Sequence, residues 1–126
     1  NQVLITADTL VVFNDIVMGK PQDKQIAMEM LQRLSGQRHE VYTGVCMRSK
    51  RNQFSFTECS HVHFKNLSSE EIEYYIDTYK PYDKAGAYGI QEWIGMVGVE
   101  KIEGCYYNIV GLPIVSLYHH LKNFIQ

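Results

Sequence analysis

The spacing of apolar residues changes several times along the chain, and each change predicts a new element. Residues 3–13 are apolar and largely β-branched, which predicts buried strands interrupted by the polar triplet Ala-Asp-Thr. From Asp23 to Leu34 the apolar positions recur at helical spacing, and they are Ile26, Ala27, Met30, Leu31 and Leu34. Gly36 ends this predicted helix.

The middle of the chain predicts an antiparallel hairpin, because "HEVYTGVCM" and "FSFTECSHVHF" are strand-like and the polar "RSKRNQ" joins them. A capping box of Ser68 and Glu71 opens a second helix, which Pro81 ends. The segment "MVGVEKIEG" predicts a further strand, and Pro113 opens a last amphipathic helix. Strands thus alternate with helices around one hairpin. This order predicts an α/β domain with a mixed, twisted sheet and flanking helices.

Composition narrows the class of protein. The chain has 126 residues, of which 45% are hydrophobic and 21% charged, so we expect one globular domain over residues 1–126. A net charge of -2 argues against a nucleic-acid polymer as partner, although a local group of cations can still hold a small anion. No apolar run approaches the ~18 residues of a membrane span. Three cysteines without a CxxC pair favour a reducing cytoplasm over a disulfide framework.

The beginning of the chain is unusual. It does not start with Met, and it enters a strand-like segment almost at once. We therefore expect residues before Asn1, so that residues 1–126 form the C-terminal two-thirds of an N-terminally truncated domain.

Two polar residues near the start are candidates for a site. Asp8 lies between two apolar segments, and a buried carboxylate is costly unless it is paired or holds a metal. It either marks a turn or lies at the carboxyl end of a strand, where ligands bind in open α/β sheets. Lys20 precedes Pro21, which would hold the ammonium group at a fixed place. The alternative for Lys20 is a solvated loop lysine.

The segment "DKAGAYGIQ" has more of the chemistry of a binding loop. Gly86 and Gly89 allow a ligand to approach the backbone, Lys84 suits a phosphate, and Gln91 offers a donor and an acceptor to the edge of a base. The alternative is a glycine-rich loop that turns a corner, since the order GxxxxGK[ST] is absent.

His61 and His63 are also candidates, because they share one face of a predicted strand at a spacing compatible with metal binding. The sequence shows no third ligand for them. We therefore expect them to form the polar side of the hairpin.

Five motifs occur together and in order: "ITADTLV", "GKP", "LSGQRHEVYTGV", "DKAGAYGIQ" and "EGCYYNIVGLP". Their combination closely resembles the Maf (septum-formation) family of nucleoside triphosphate pyrophosphatases, from about Val3 to Leu121. The "DKAGAYGIQ" version is similar to the branch that acts on dTTP and UTP. The resemblance implies an elongated, ITPase/Maf-like α/β domain with a mixed sheet and a cleft.

The same resemblance implies roles for single residues. Asp8 matches the family's proton acceptor and would hold a divalent metal, Mg²⁺ or Mn²⁺. Thr9 and Gln91 match positions linked to base selection, and Lys20 and Lys84 match lysines of the phosphate-binding cleft. The implied reaction is hydrolysis of a nucleoside triphosphate to the monophosphate and pyrophosphate. We expect this activity to be impaired in the truncated chain, because family members begin with a further segment that helps to hold the phosphates and the metal.

Two alternatives stay open. One is a pyrophosphatase for another or a modified nucleotide. The other is a catalytically inactive fragment that associates with itself, for instance as a homodimer, through the apolar edge of its first strand.

Overall fold

The computed structural model describes residues 2–126. Five strands form one sheet in the order β2-β1-β3-β4-β5, and their bounds are Leu4–Phe13 (β1), Ile16–Met18 (β2), Arg38–Arg48 (β3), Gln53–Phe64 (β4) and Val99–Glu103 (β5). The α-helices are Lys24–Leu34 (α1), Ser69–Tyr79 (α2), Trp93–Gly98 (α3), Tyr106–Val110 (α4) and Ile114–Phe124 (α5). Two short 3-10 helices, Pro81–Asp83 and Ala85–Ala87, connect α2 to α3. Among residues 2–126, no helix is both long and apolar enough to cross a membrane.

The α/β architecture with flanking helices is confirmed, but the mixed sheet is wrong for the described residues, where every strand pairing is antiparallel. The short connections β1–β2 and β3–β4 reverse the chain, and α1 then returns it so that β3 lies beside β1. Asn14 and Asp15 form the β1–β2 turn with φ values of 49° and 63°, the left-handed conformation that two-residue hairpin turns require. The turn is followed by the short strand β2, which pairs with the end of β1.

The helix boundaries follow from their caps. The Asp23 carboxylate accepts the backbone N–H of Ile26 at 2.9 Å and begins α1. The predicted capping box begins α2, since the Glu71 N–H donates to Ser68 Oγ at 3.0 Å and the Ser68 N–H donates to Glu71 Oε1 at 2.9 Å. Because these signals lie within four residues of each other in sequence, they could be predicted without knowledge of the tertiary structure.

The sheet buries one face against the helices. On β3 the alternate residues His39, Val41, Thr43, Val45 and Met47 are buried. The main core lies between this face and helices α1 and α2, where the buried residues include Leu31, Leu34, Ile72, Tyr75 and Ile76. Burial of these apolar side chains supplies most of the driving force for folding.

The predicted burial of the first strand is wrong for most of its length. Leu4 is 61% exposed and Leu10 is 43% exposed, whereas Val11 is buried in the core. Asp8 is exposed as well. Leu4 and Leu10 remain exposed in the structure, so the apolar composition of β1 does not lead to burial at these positions.

His39 is a titratable residue whose burial in the core disfavours its protonated form. Its ring is buried, stacks on Phe64 with centroids 5.5 Å apart, and shares a 2.6 Å hydrogen bond between Nε2 and the Tyr88 hydroxyl. Burial, with a smaller contribution from the charge of His63, lowers the pKa of His39 to about 4. The imidazole is therefore neutral in the folded protein at neutral pH.

This burial predicts an acid-sensitive stability. Between pH 6.5 and about 4 the unfolded chain binds a proton at His39 that the folded chain does not, so the free energy of unfolding falls as the pH falls. The slope from this residue is at most about 1.4 kcal/mol per pH unit. Urea unfolding across this range should show a shallower pH dependence for His39→Gln than for the parent chain. The exposed His119→Gln variant controls for loss of a histidine elsewhere, and equal slopes for His39→Gln and the parent would contradict the prediction.

Candidate functional site

A cleft of about 290 Å³ lies between β1, the loop after β2, the "DKAGAYGIQ" segment and α4. Its lining includes all five predicted site residues, which are Asp8, Thr9, Lys20, Lys84 and Gln91. These residues come from three separate parts of the chain. The fold therefore places on one cleft the residues that the sequence connected only through their resemblance to family motifs.

Asp8 does not lie at the carboxyl end of a strand, as predicted, but inside β1, where it pairs with Gly44 of β3. The strand continues through the polar triplet because Ala7, Asp8 and Thr9 all pair with β3. Successive strand side chains alternate between faces, and the Thr9 hydroxyl contacts Thr43 Oγ1 at 2.9 Å on the buried face. Asp8 is therefore an exposed residue at the edge of the cleft. Its carboxylate stays in contact with solvent, so the cost of burial expected from the sequence does not arise.

The loop of Lys20 is attached to the glycine-rich segment by the backbone. The Gly86 N–H donates to the Gly19 carbonyl at 3.1 Å, which places the Lys20 loop beside the Lys84 segment. Gly86 has a φ of 71°, and a Cβ there would lie 2.9 Å from Val11 Cγ1. Both the conformation and the space thus require glycine at this position.

Gly89 accommodates the side chain of Lys84. A Cβ at Gly89 would lie 2.9 Å from Lys84 Cε and 2.9 Å from Glu92 Oε1. The sequence predicted that a ligand would approach the backbone at Gly89. In the structure, the aliphatic part of the Lys84 side chain occupies that space instead. The Lys84 ammonium lies 3.7 Å from the exposed Asp83 carboxylate and lines the cleft.

Tyr75 of α2 fixes the loop that precedes Gln91. Its hydroxyl accepts the Gly89 N–H at 3.0 Å and donates to Glu92 Oε1 at 2.5 Å. Burial and the Glu92 carboxylate both raise the pKa of Tyr75, so it remains a hydroxyl donor. Nothing in the sequence distinguishes Tyr75 from the other eight tyrosines, apart from its place in the helical apolar pattern of α2.

Asn108 is the second residue that the sequence reasoning missed. It is fully buried, and its Nδ2 donates to Ser60 Oγ at 2.9 Å, the Val41 carbonyl at 3.1 Å and the Glu58 carbonyl at 3.3 Å. The Thr43 hydroxyl donates to the Asn108 carbonyl at 3.1 Å. These bonds attach α4 to strands β3 and β4.

Attachment of α4 matters because the next two residues, Ile109 and Val110, line the cleft. Thr43 also contacts Thr9, so a single set of buried hydrogen bonds connects the predicted base-selecting residue to this side of the cleft. The family motif "EGCYYNIVGLP" contained Asn108, but its spacing alone did not mark it as an anchor.

His61 and His63 lie outside this cleft, on the outer face of the sheet. His61 Nε2 is 3.6 Å from Glu40 Oε2, and His63 Nε2 is 2.7 Å from Glu103 Oε1. Both side chains are about 30% exposed, as expected for the polar side of the hairpin.

A larger and more open groove of about 1370 Å³ lies near the β3–β4 turn and the end of α5, and it includes Arg48 and Arg51. None of the predicted site residues lines it. Its lining has cations and amides but no Asp or Glu side chain, which makes it the poorer candidate for a site of nucleotide hydrolysis.

Comparison with known proteins gives a consistent result. The family model "Maf-like protein" matches residues 1–124. The chain is 56% identical over 121 residues to a protein of Bacteroides thetaiotaomicron named dTTP/UTP pyrophosphatase, and the match covers 96% of this chain and 63% of that protein. Proteins with the same name from Parabacteroides distasonis (54% identity; 98% and 64% covered) and Porphyromonas gingivalis W83 (51%; 97% and 61%) are also similar.

The chain spans about three fifths of the length of these curated relatives. The family model nevertheless covers nearly all of it, and the motifs that carried the resemblance line the cleft or support it. The chain belongs to the Maf-like protein family.

Proposed function

We propose that the protein is a nucleoside triphosphate pyrophosphatase that hydrolyses dTTP and UTP to the monophosphate and pyrophosphate. The observation that carries the proposal is the cleft in which Asp8, Lys20, Lys84 and Gln91 meet. The names of the relatives support the substrate class.

The two lysines would bind the phosphates. Lys20 and Lys84 line the same cleft from two loops that the Gly86–Gly19 hydrogen bond holds together. Hydrolysis between the α- and β-phosphates leaves the new negative charge on pyrophosphate. Ammonium groups fixed at this place would stabilise that charge as it develops.

Asp8 would orient or deprotonate the attacking water. An exposed carboxylate beside the phosphate-binding groups can accept a proton from water as the water attacks the α-phosphorus. The Pα–O bond to the β-phosphate then breaks, and pyrophosphate leaves.

A divalent cation, Mg²⁺ or Mn²⁺, fits the chemistry of this cleft. Asp8 and Asp83 both line it, and carboxylate oxygens are the ligands that these ions prefer. When bound, such an ion would screen the phosphate charge. We assign its binding to Asp8, with Asp83 as the second carboxylate within reach of the cleft.

The free thiols of Cys46, Cys59 and Cys105 support a reducing compartment, and we propose the cytoplasm as the site of action. We propose a nucleoside triphosphate as the partner, because the lining of the cleft suits it. The net charge of -2 disfavours binding of a nucleic-acid polymer.

The proposal is tested by measuring pyrophosphate release from a panel of dTTP, UTP, dCTP, dATP, dGTP and 7-methyl-GTP with Mg²⁺. Two proteins are compared: the 126-residue chain alone and the same chain joined to the part of the Bacteroides thetaiotaomicron relative that it does not match. We expect dTTP and UTP to be hydrolysed fastest by the joined protein. Preference for another nucleotide would favour the alternative substrate, and no release from any nucleotide would overturn the proposal.

Gln91 should determine the preference among nucleotides. Its amide can donate to a carbonyl and accept from the N–H of uracil or thymine. Gln91→Ala should therefore weaken transition-state binding of dTTP and UTP by about 1–3 kcal/mol and bring their kcat/KM closer to those of the other nucleotides. Gln37→Ala, an exposed change outside the cleft, is the matched control. An unchanged ranking in Gln91→Ala would show that another group reads the base.

A second candidate property, self-association, is favoured by the exposed apolar residues of β1 and β2. Leu4, Leu10, Ile16 and Val17 are between 43% and 61% exposed, and exposed apolar strands favour pairing between chains. Light scattering of the 126-residue chain tests this property directly: a dimer is expected, and a monomer at all concentrations would contradict it.

A further inference from the structure

The outer face of the sheet carries a group of metal-binding side chains that the cleft does not use. Glu40 of β3 pairs directly with His61 of β4, and Cys59 lies two residues before His61 on the same face. The carboxylate, thiol and imidazole ligand atoms all lie within 4.8 Å of one another. The structure thus groups His61 with two ligands that the sequence did not show, Glu40 and Cys59, and not with His63.

This set has the geometry of a site for a borderline-soft divalent ion. Tetrahedral Zn²⁺ places N, O and S ligands at about 2.0–2.3 Å, so its ligand atoms lie roughly 3.4–3.7 Å apart. His61 Nε2 and Glu40 Oε2 are already 3.6 Å apart. Because all three ligand atoms lie within 4.8 Å of one another, the others need to move by no more than about 1 Å, which side-chain rotation at a surface allows.

A neighbouring hydroxyl orients one ligand. Tyr42, which pairs with Cys59 across the strands, donates to Glu40 Oε2 at 3.1 Å. The bond to Glu40, together with the nearby thiol, raises the pKa of Tyr42 to about 12, so the hydroxyl stays a donor. Such an outer hydrogen bond orients a ligating carboxylate in many metal sites.

The thiol itself is not a preformed thiolate. Desolvation raises the pKa of Cys59 above its usual range, so a metal would have to displace the proton. Thiolate ligands are preferred by Zn²⁺ and related ions, and Mg²⁺ and Ca²⁺ prefer oxygen.

We propose that Glu40, Cys59 and His61 form a binding site for Zn²⁺ or a chemically similar divalent transition metal, with the fourth position open to water. The site is separate from the cleft, because Glu40 pairs with Val12, four residues along β1 from Asp8. That separation is about 13 Å along the strand. A metal here would connect the two central strands β3 and β4 on their solvent side.

Cobalt(II) is the probe, because a cysteine ligand gives a thiolate-to-cobalt absorption band in the near ultraviolet and tetrahedral coordination gives strong visible bands. The reduced 126-residue chain is titrated with Co²⁺ and then with Zn²⁺. We expect one equivalent of Co²⁺ to produce the thiolate band and Zn²⁺ to remove it. Millimolar Mg²⁺ should leave the band unchanged, which separates this site from any magnesium site in the cleft.

Variants test two of the three ligands, Cys59 and His61. Cys59→Ser should abolish it, and His61→Gln should weaken Co²⁺ affinity at least 10-fold. Cys46→Ser, a thiol on the same outer face of β3, is the matched control and should change nothing. The proposal is overturned if the parent chain gives no thiolate band, if the band survives in Cys59→Ser, if Cys46→Ser removes it, or if Mg²⁺ competes with Co²⁺.

Discussion

Asp8→Asn is expected to lower pyrophosphate release from dTTP by at least about 100-fold in the joined protein described above, without unfolding it. Asparagine keeps the shape of the side chain but removes the charge and the ability to accept a proton from water, and loss of a general base has effects of this size. Because Asp8 is exposed within β1 and pairs with β3 through its backbone, the substitution should cost little stability.

Asp15→Asn is the control for this experiment. Asp15 is an exposed acid in the β1–β2 turn with a φ of 63°, a conformation that asparagine also adopts readily. Asp15 does not line the cleft, so the activity of the Asp15→Asn variant should match that of the parent protein. If Asp8→Asn kept more than half of the parent activity at an unchanged melting temperature, Asp8 would not be the proton acceptor.

The parts of the fold that could be predicted from the sequence are those specified by neighbouring residues. The capping box of Ser68 and Glu71 begins α2 as predicted, and the Asp23 side chain caps the helix predicted from that residue. The β3–β4 hairpin follows from two strand-like segments joined by a short polar turn, and the observed pairing from Arg38↔His63 to Arg48↔Gln53 confirms it. Local hydrogen bonds and alternation were sufficient for these elements.

The parts that failed depend on contacts between distant segments. The continuity of β1 through Asp8 comes from pairing with Gly44 and its neighbours, and no signal within residues 3–13 specifies that partner. The antiparallel direction of β1 against β3 likewise depends on where α1 returns the chain. Tyr75 and Asn108 acquire their importance from loops and strands at least 14 residues away. A sequence read without those partners shows only a tyrosine and an asparagine.

The same distinction applies to the cleft. Motif resemblance selected Asp8, Thr9, Lys20, Lys84 and Gln91, and the structure places all five on one cleft. Resemblance did not reveal what holds them there, namely the Gly86–Gly19 hydrogen bond and the space that Gly89 leaves for Lys84. The roles of these supporting residues could not be predicted, because they depend on how close two loops lie in the folded structure.

Asn108→Asp should be the most destabilising conservative change in the chain, with a loss of at least about 3 kcal/mol in the free energy of unfolding. The substitution nearly preserves volume, so packing alone predicts a small effect. However, the Asn108 amide donates to two backbone carbonyls and Ser60 Oγ from a fully buried position. A carboxylate there would lose those donors and face the carbonyl oxygens as an unpaired buried charge.

The measurement is urea unfolding at pH 7, with Asn123→Asp as the matched control because Asn123 lies exposed on α5. The control should stay within about 0.5 kcal/mol of the parent chain. In Asn108→Asp, hydrogen exchange should also rise first in α4, since the bonds from Asn108 and Thr43 attach that helix to the sheet. A loss below about 1 kcal/mol would show that α4 is held mainly by apolar contacts such as those of Ile109, and that the buried hydrogen bonds contribute little to the shape of the cleft.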